Sequence, residues 1–169
     1  SNLSKSKEDT PLAGPALNRV VKDFKAPATS ESEVQLKALR GKQVVLYFYP
    51  KDNAPGCTNE SKDFSSLNSK FKRANTVIFG ISRDSIASHE KFKAKFEMPF
   101  ELISDADEAL CGYFDVIKEK NMYGKKVMGI ERSTFLIAAD GKLREEWRKV
   151  KGPGFADAVL DAAKALIMG

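Results

Sequence analysis

Cysteine is scarce in this chain: two thiols, Cys57 and Cys111, in 169 residues. So sparse a pair is no disulfide framework, and with a single histidine, His89, it supplies no zinc-binding set. Unpaired thiols persist where the surroundings are reducing, so the cytoplasm is the expected location. No run of about 18 apolar residues occurs anywhere, so a helical membrane span is not expected. Charge of one sign is missing too. The 28 Lys and Arg are interspersed with 23 Asp and Glu, and no basic stripe with interleaved aromatics points to nucleic acid.

What is present is enough apolar material for one core, 42% of a length that suits one domain. The opening "SNLSKSKEDTPLAG" is polar, so residues 1–18 are expected to be a flexible tail and 19–169 a single domain. Val44–Tyr49 is apolar almost throughout, which marks a central strand that Pro50 ends. From Cys57 to Lys72 the spacing becomes helical, with Phe64, Leu67 and Phe71 on one face. "TVIFGIS" (76–82) reads as a second buried strand. "RDS" then caps a helix around Ile86–Phe96, with Phe92 and Phe96 inward and His89 on an exposed face.

"MPFELISDADEALCGYFDV" gives a short strand and a short helix carrying Cys111. "STFLIAADGKLREEWRKV" reads as a hairpin closed by a tight two-residue turn at Asp140-Gly141. The last helix, Gly154–Ile167, is expected to bury Phe155, Val159, Ala162 and Leu166. Alternation of strand and helix, then strand–strand–helix, implies an α/β fold of the thioredoxin-like kind: a central mixed sheet flanked by helices.

Cys57 stands at the start of the first long helix, in "LYFYPKDNAPGCTNES". There, unpaired N–H groups and the helix dipole favour a thiolate, the form that acts as a nucleophile. Pro55 suits a first turn, and Gly56 allows a small substrate close to the backbone. Cysteine is also a common buried small hydrophobe. The pattern alone leaves both roles open, and without a C-x-x-C pair a dithiol oxidoreductase is not indicated.

"YFYPKDNAPGCTNE" resembles the Pro-x3-Thr-x2-Cys motif of the peroxiredoxins, and it is most similar to the peroxiredoxin Q (bacterioferritin comigratory protein) branch. "LCGYFDVIKEKNMYGKKVMGIERSTFLIAADGKL" extends the resemblance, which runs from about Val21 to the C-terminus. It implies a thioredoxin fold with a peroxiredoxin-type N-terminal extension and insert. The implied activity is a thiol peroxidase that reduces hydrogen peroxide and organic hydroperoxides without metal or other cofactor. Cys57 then takes the place of the peroxidatic cysteine, Pro50 that of the shielding proline, and Arg132 that of the arginine beside the sulfur. Glu60 matches the acidic residue that holds this arginine. Gly56 and Thr58 flank the sulfur in the substrate pocket, and His89 is assigned no role.

Two positions depart from the family pattern. Ala54 stands where the motif has Thr, so a hydroxyl near the thiolate and peroxide is missing, and a slowed peroxidase is expected. The places where this branch often carries a resolving cysteine hold Lys62 and Lys93. Cys111 is the one remaining internal candidate, and a core thiol is the simpler role for it. A one-cysteine cycle follows, with thioredoxin or glutathione/glutaredoxin as external reductant and a monomer as the working unit. The alternatives are a redox sensor or chaperone-like protein on the same fold, favoured by Ala54 and the absent resolvers, and a thiol transferase acting on mixed disulfides.

Overall fold

Six consecutive buried residues, Gln43–Phe48, form the strand on which the architecture is built. The computed structural model describes residues 14–169. The first part of the expected tail, residues 1–13, lies outside the described residues. From Gly14 onward the chain lies against the body, and the Asn18 N–H donates to Leu143 O at 2.6 Å.

In chain order the elements are β1 (Lys25–Ala28), β2 (Ser32–Gln35), β3 (Gln43–Phe48), α1 (Pro55–Arg73), β4 (Thr76–Ser82), α2 (Ile86–Lys95) and β5 (Leu102–Ser104). Then come α3 (Ala109–Tyr113), β6 (Ile117–Met122), β7 (Lys125–Ile130), β8 (Ser133–Ile137), β9 (Leu143–Arg148) and α4 (Phe155–Met168). Seven strands make one sheet in the order β2-β1-β5-β4-β3-β8-β9, and β6 and β7 form a separate two-stranded sheet. β3, β4 and β5 are parallel, whereas β8 runs antiparallel to β3, so the sheet is mixed. Among the described residues no helix is long and apolar enough to cross a membrane.

Strand β3 divides the core, because successive side chains point to opposite faces. Val44, Leu46 and Phe48 join a cluster with Cys111, Phe114 and Phe135. Val45, Tyr47 and Tyr49 join another with Cys57, Phe64, Phe71, Phe92 and Val159, beneath α1, α2 and α4. Both crossovers from β3 through β5 step the same way along the sheet, so right-handed connections put α1 and α2 on one face. Phe64 and Phe71 are fully buried, each worth about 1.5–3 kcal/mol.

The expected N-terminal extension takes the form of the β1–β2 pair, and the insert that of the β6–β7 hairpin. The residue pattern placed neither as strands, since SEVQ and IKEKNM are polar and largely solvent-facing. The β8–β9 connection is longer than the expected two-residue turn. The Gly141 N–H donates to Ala138 O, the Ala138 N–H donates to Lys142 O, and Gly141 alone carries a positive φ, of 88°. That is a three-residue loop ending in a glycine bulge. Helix α4 is turned slightly from the expected face: Ala156, Val159, Leu160 and Ala163 are buried, and Phe155, Ala162 and Leu166 only half so.

Candidate active site at the start of helix α1

Tyr49 and Pro50 follow β3, and the loop after them delivers the chain into α1. Ala54 is the N-cap, extended at φ −71° and ψ 147°, with no side-chain cap hydrogen bond. Pro55 is the first helical residue and Cys57 the third. The Thr58 N–H makes the first intrahelical bond, to Ala54 O at 2.8 Å, so the N–H groups of Gly56 and Cys57 stand ahead of the ladder. Buried Cys57, Ser61, Phe64, Asn68 and Phe71 form the inner stripe of the helix, which places the sulfur at the top of the core. Lys70, Lys72 and Arg73 in the last turn complement the dipole at the other end.

Cys57 is 1% exposed, and its Sγ accepts a hydrogen bond from Arg132 Nη2 at 3.1 Å. The other fork of the guanidinium, Nη1, donates to Glu60 Oε1 at 3.0 Å. Arg132 comes from the far side of the site, one residue before β8, and its backbone is held by the Val150 N–H donating to Arg132 O. Gly56 allows this approach, because a Cβ there would lie 3.0 Å from Nη2. Burial alone would lower the Arg132 pKa, but Cys57 and Glu60 together raise it. The guanidinium is thus a permanent charge between two acidic groups.

Glu60 behaves differently. Its side chain is 8% exposed, and burial pushes its carboxyl up to about 7 despite the opposing pull of Arg132. The second oxygen, Oε2, is buried with no hydrogen-bond partner among the described residues. Glu60, Gly56 and Arg132 line a cavity of about 640 Å³, with Lys62, Phe64 and Phe155 further along its wall. Beneath the sulfur, Tyr47 OH lies 2.9 Å from Ser61 Oγ and its ring stacks on Phe64. Burial, reinforced by the nearby Glu60 and Cys57, pushes the phenol well above its usual value and keeps it neutral.

Cys57, Arg132, Glu60 and Gly56 therefore meet at one point. Ala54 packs against the apolar cluster that contains Cys57, while Thr58 and Pro50 are half-buried. Cys111 is not part of the site. It is fully buried in the cluster on the opposite face of the sheet, where burial and the adjacent Asp105 raise its thiol far above the usual range.

His89 corrects the sequence expectation: it is fully buried rather than exposed. Nε2 lies 2.9 Å from Ile103 O, and Nδ1 lies 2.8 Å from Asp52 Oδ2. A carbonyl can only accept, so Nε2 donates. Asp52 also accepts from Tyr49 OH and Ser88 Oγ. Burial opposes charge on Asp52, but the bonds from His89 and Tyr49 outweigh it and hold the carboxyl below its usual range. Nδ1 and the Asp52 carboxylate thus form a buried hydrogen-bonded pair. Asp52 sits in the loop between β3 and Ala54, and its N–H donates to Asp84 Oδ2, so this network fastens the loop that presents Cys57. Asp52, Asp84 and His89 bring their polar atoms within 4.8 Å of one another, yet both nitrogens of His89 and both oxygens of Asp52 are engaged by protein groups. A histidine between Ser88 and Glu90 in a short helix looks exposed by pattern, and no sequence spacing reveals partners on a loop and a distant strand.

A sequence model described as the AhpC/TSA family matches residues 17–146. Peroxiredoxin Bcp of Xanthomonas campestris pv. campestris is 54% identical over 143 residues, 85% of this chain and 89% of that protein. Peroxiredoxin Bcp of Bacillus subtilis is 49% identical over 133 residues, 79% of this chain and 83% of that protein. Among solved structures, the Xanthomonas campestris bacterioferritin comigratory protein, studied for alkyl peroxide reduction in trapped intermediate/ligand complexes, superposes with a TM-score of 0.81. It is 52% identical, over 85% of this chain and 91% of that one. A cysteine-to-serine mutant of Xylella fastidiosa PrxQ gives a TM-score of 0.85 at 42% identity, over 90% and 97% of the two chains.

Proposed function

This chain belongs to the AhpC/TSA family, as a peroxiredoxin of the Bcp branch, and we propose that it reduces hydrogen peroxide and organic hydroperoxides through the Cys57 sulfur. One observation carries this reading: a single guanidinium bonds both the sulfur of Cys57 and the carboxylate that orients it. The Cys57 thiolate attacks one peroxide oxygen, the O–O bond breaks, and Cys57 becomes a sulfenic acid. The other oxygen leaves with a proton as water or an alcohol. Arg132 stabilises the attacking anion and the charge growing on the departing oxygen, in a pocket dry enough for each donor to count. By the family resemblance Pro50 shields the sulfur, with Gly56 and Thr58 on either side of it in the chain.

Resolution falls to an external thiol, supplied by thioredoxin or by glutathione with glutaredoxin. Lys62 and Lys93 offer no sulfur, and Cys111 lies beyond the sheet. A monomer is the expected working unit, and two free thiols suit a reducing, cytoplasmic setting. The sensor reading is disfavoured, since the thiol, guanidinium and carboxylate are in contact despite Ala54. The test is peroxide consumption coupled to a thiol reductant. Turnover in the wild type and none in Cys57→Ser is expected. A Cys57 oxidation rate no faster than that of a free thiolate overturns the proposal.

A further inference from the structure

Glu60 is built for more than holding Arg132. A carboxylate that only oriented a guanidinium would gain by using both oxygens, in the two-pronged geometry such pairs favour. Here Oε1 alone meets Arg132, while Oε2 is buried, unpartnered, and belongs to a side chain lining the cavity that reaches Gly56 and Arg132. A buried polar atom without a partner is costly, and a group entering the cavity would relieve that cost.

We propose that Glu60 is the general acid of the oxidation step: its carboxyl proton passes to the oxygen that leaves as the Cys57 sulfur captures the other. This rests on the peroxidase reading above and deepens it. The step is Cys57–S⁻ + ROOH + Glu60–COOH → Cys57–SOH + ROH + Glu60–COO⁻. The S–O bond forms, the O–O bond breaks, sulfur is oxidised and the peroxide reduced.

Charge favours the exchange. Before the step, the thiolate neutralises Arg132 and Glu60 carries a proton. Afterwards the sulfur is uncharged and the Glu60 carboxylate neutralises the same guanidinium. The buried group keeps zero net charge throughout, whereas an unprotonated Glu60 would leave two anions competing for one cation. Reduction closes the cycle: Cys57–SOH + 2 R′SH → Cys57–S⁻ + R′SSR′ + H₂O + H⁺, and the released proton restores Glu60.

The surrounding charges set the working range. Burial and Asp63, on the same helix, raise the carboxyl, and Arg132 lowers it; the result is about 7. Lys62 and Lys151 line the cavity. Tyr47 beneath is neutral, and Lys120, on the β6–β7 hairpin, lies in the field of Arg132 and Cys57.

The test compares Cys57 oxidation in the wild type and in Glu60→Gln, which keeps an oxygen for Arg132 but has no proton to give. With tert-butyl hydroperoxide, whose leaving alkoxide needs a proton, the variant is expected to lose about 100-fold, as general acids commonly contribute. With peracetic acid, whose leaving carboxylate needs none, the loss should be small. Equal losses with both peroxides, or no loss with either, overturn the proposal and leave Glu60 a positioning residue. If the variant does not fold, the wild type decides alone. Its rate with tert-butyl hydroperoxide, divided by its iodoacetamide alkylation rate at the same pH, should fall about tenfold from pH 6 to pH 8, as a carboxyl titrating at about 7 loses its proton. A constant ratio overturns the assignment. A wild type that alkylates at Cys57 but is not oxidised there sinks the peroxidase reading itself, and this proposal with it.

Discussion

Cys57 and Cys111 are buried on opposite faces of the seven-stranded sheet. Cys57 packs with Tyr47 and Phe64 beneath α1, and Cys111 with Phe48 and Phe114 on the other side. A disulfide needs Cα atoms within about 7 Å, and a bond between these two would have to pass through β3 or unravel α1. One equivalent of peroxide should therefore add one oxygen at Cys57 and leave Cys111 a free thiol by non-reducing mass spectrometry. Cys111→Ser should turn over at the wild-type rate. A stoichiometric Cys57–Cys111 bond would reverse the assignment of an external reductant.

Arg132→Lys tests the two-pronged guanidinium. A lysine ammonium is a single point and cannot replace two donors that meet Cys57 and Glu60 separately. Peroxide kcat/KM is expected to fall about 100-fold, the loss typical of removing one preorganised donor. A variant within about threefold of the wild type, well inside that typical loss, would show that charge alone suffices.

Ala54→Thr should act twice. At an N-cap that has no side-chain bond, a threonine hydroxyl can accept from the first-turn N–H groups and stabilise the protein by about 0.5–2 kcal/mol. Near the thiolate and peroxide it should speed oxidation roughly 10- to 100-fold, the equivalent of one hydrogen bond to a charged partner. Thermal unfolding and stopped-flow oxidation separate the effects, and a variant unchanged in both refutes the reasoning.

Asp52→Asn takes the carboxylate away from the buried His89 ring, and leaving a buried hydrogen-bonding group without its partner costs about 1–3 kcal/mol. The Asp52 carboxyl is held below its ordinary value in the fold, so its contribution is complete above the unfolded carboxyl's pKa. It disappears as pH falls through the lower, folded value. The wild type should lose stability on acidification below about pH 4, and the variant should lack that component of the decline. Urea denaturation between pH 3 and pH 7 provides the comparison; parallel profiles would show that the pair contributes nothing.

Local pattern carried the centre of this molecule well. Val44–Tyr49 and "TVIFGIS" could be read as strands because both faces of β3 and β4 are buried, which demands unbroken apolar runs. The inner stripe of α1 followed from the spacing of Phe64 and Phe71. Cys57 stood out by its place at a helix start, but Arg132 and Glu60 were found through motif resemblance, since no periodicity links residue 132 to residue 57. Long-range pairing hid the rest. β1 contains Pro27, β6 and β7 are largely solvent-facing strands that pair with each other, and His89 owes its burial to Asp52 and Ile103. Even the Ala138–Lys142 loop depended on hairpin register, which a dipeptide cannot specify.

With the sulfur only 1% exposed, a macromolecular reductant meets a closed door, and α1 must fray at its first turn before a second thiol can reach Cys57. A helix that begins on alanine comes undone there more readily than one begun on threonine. An alanine expected to slow capture of peroxide should thus hasten recycling, and the steady-state tempo of the enzyme should follow hydrogen–deuterium exchange at Gly56–Thr58 rather than peroxide concentration.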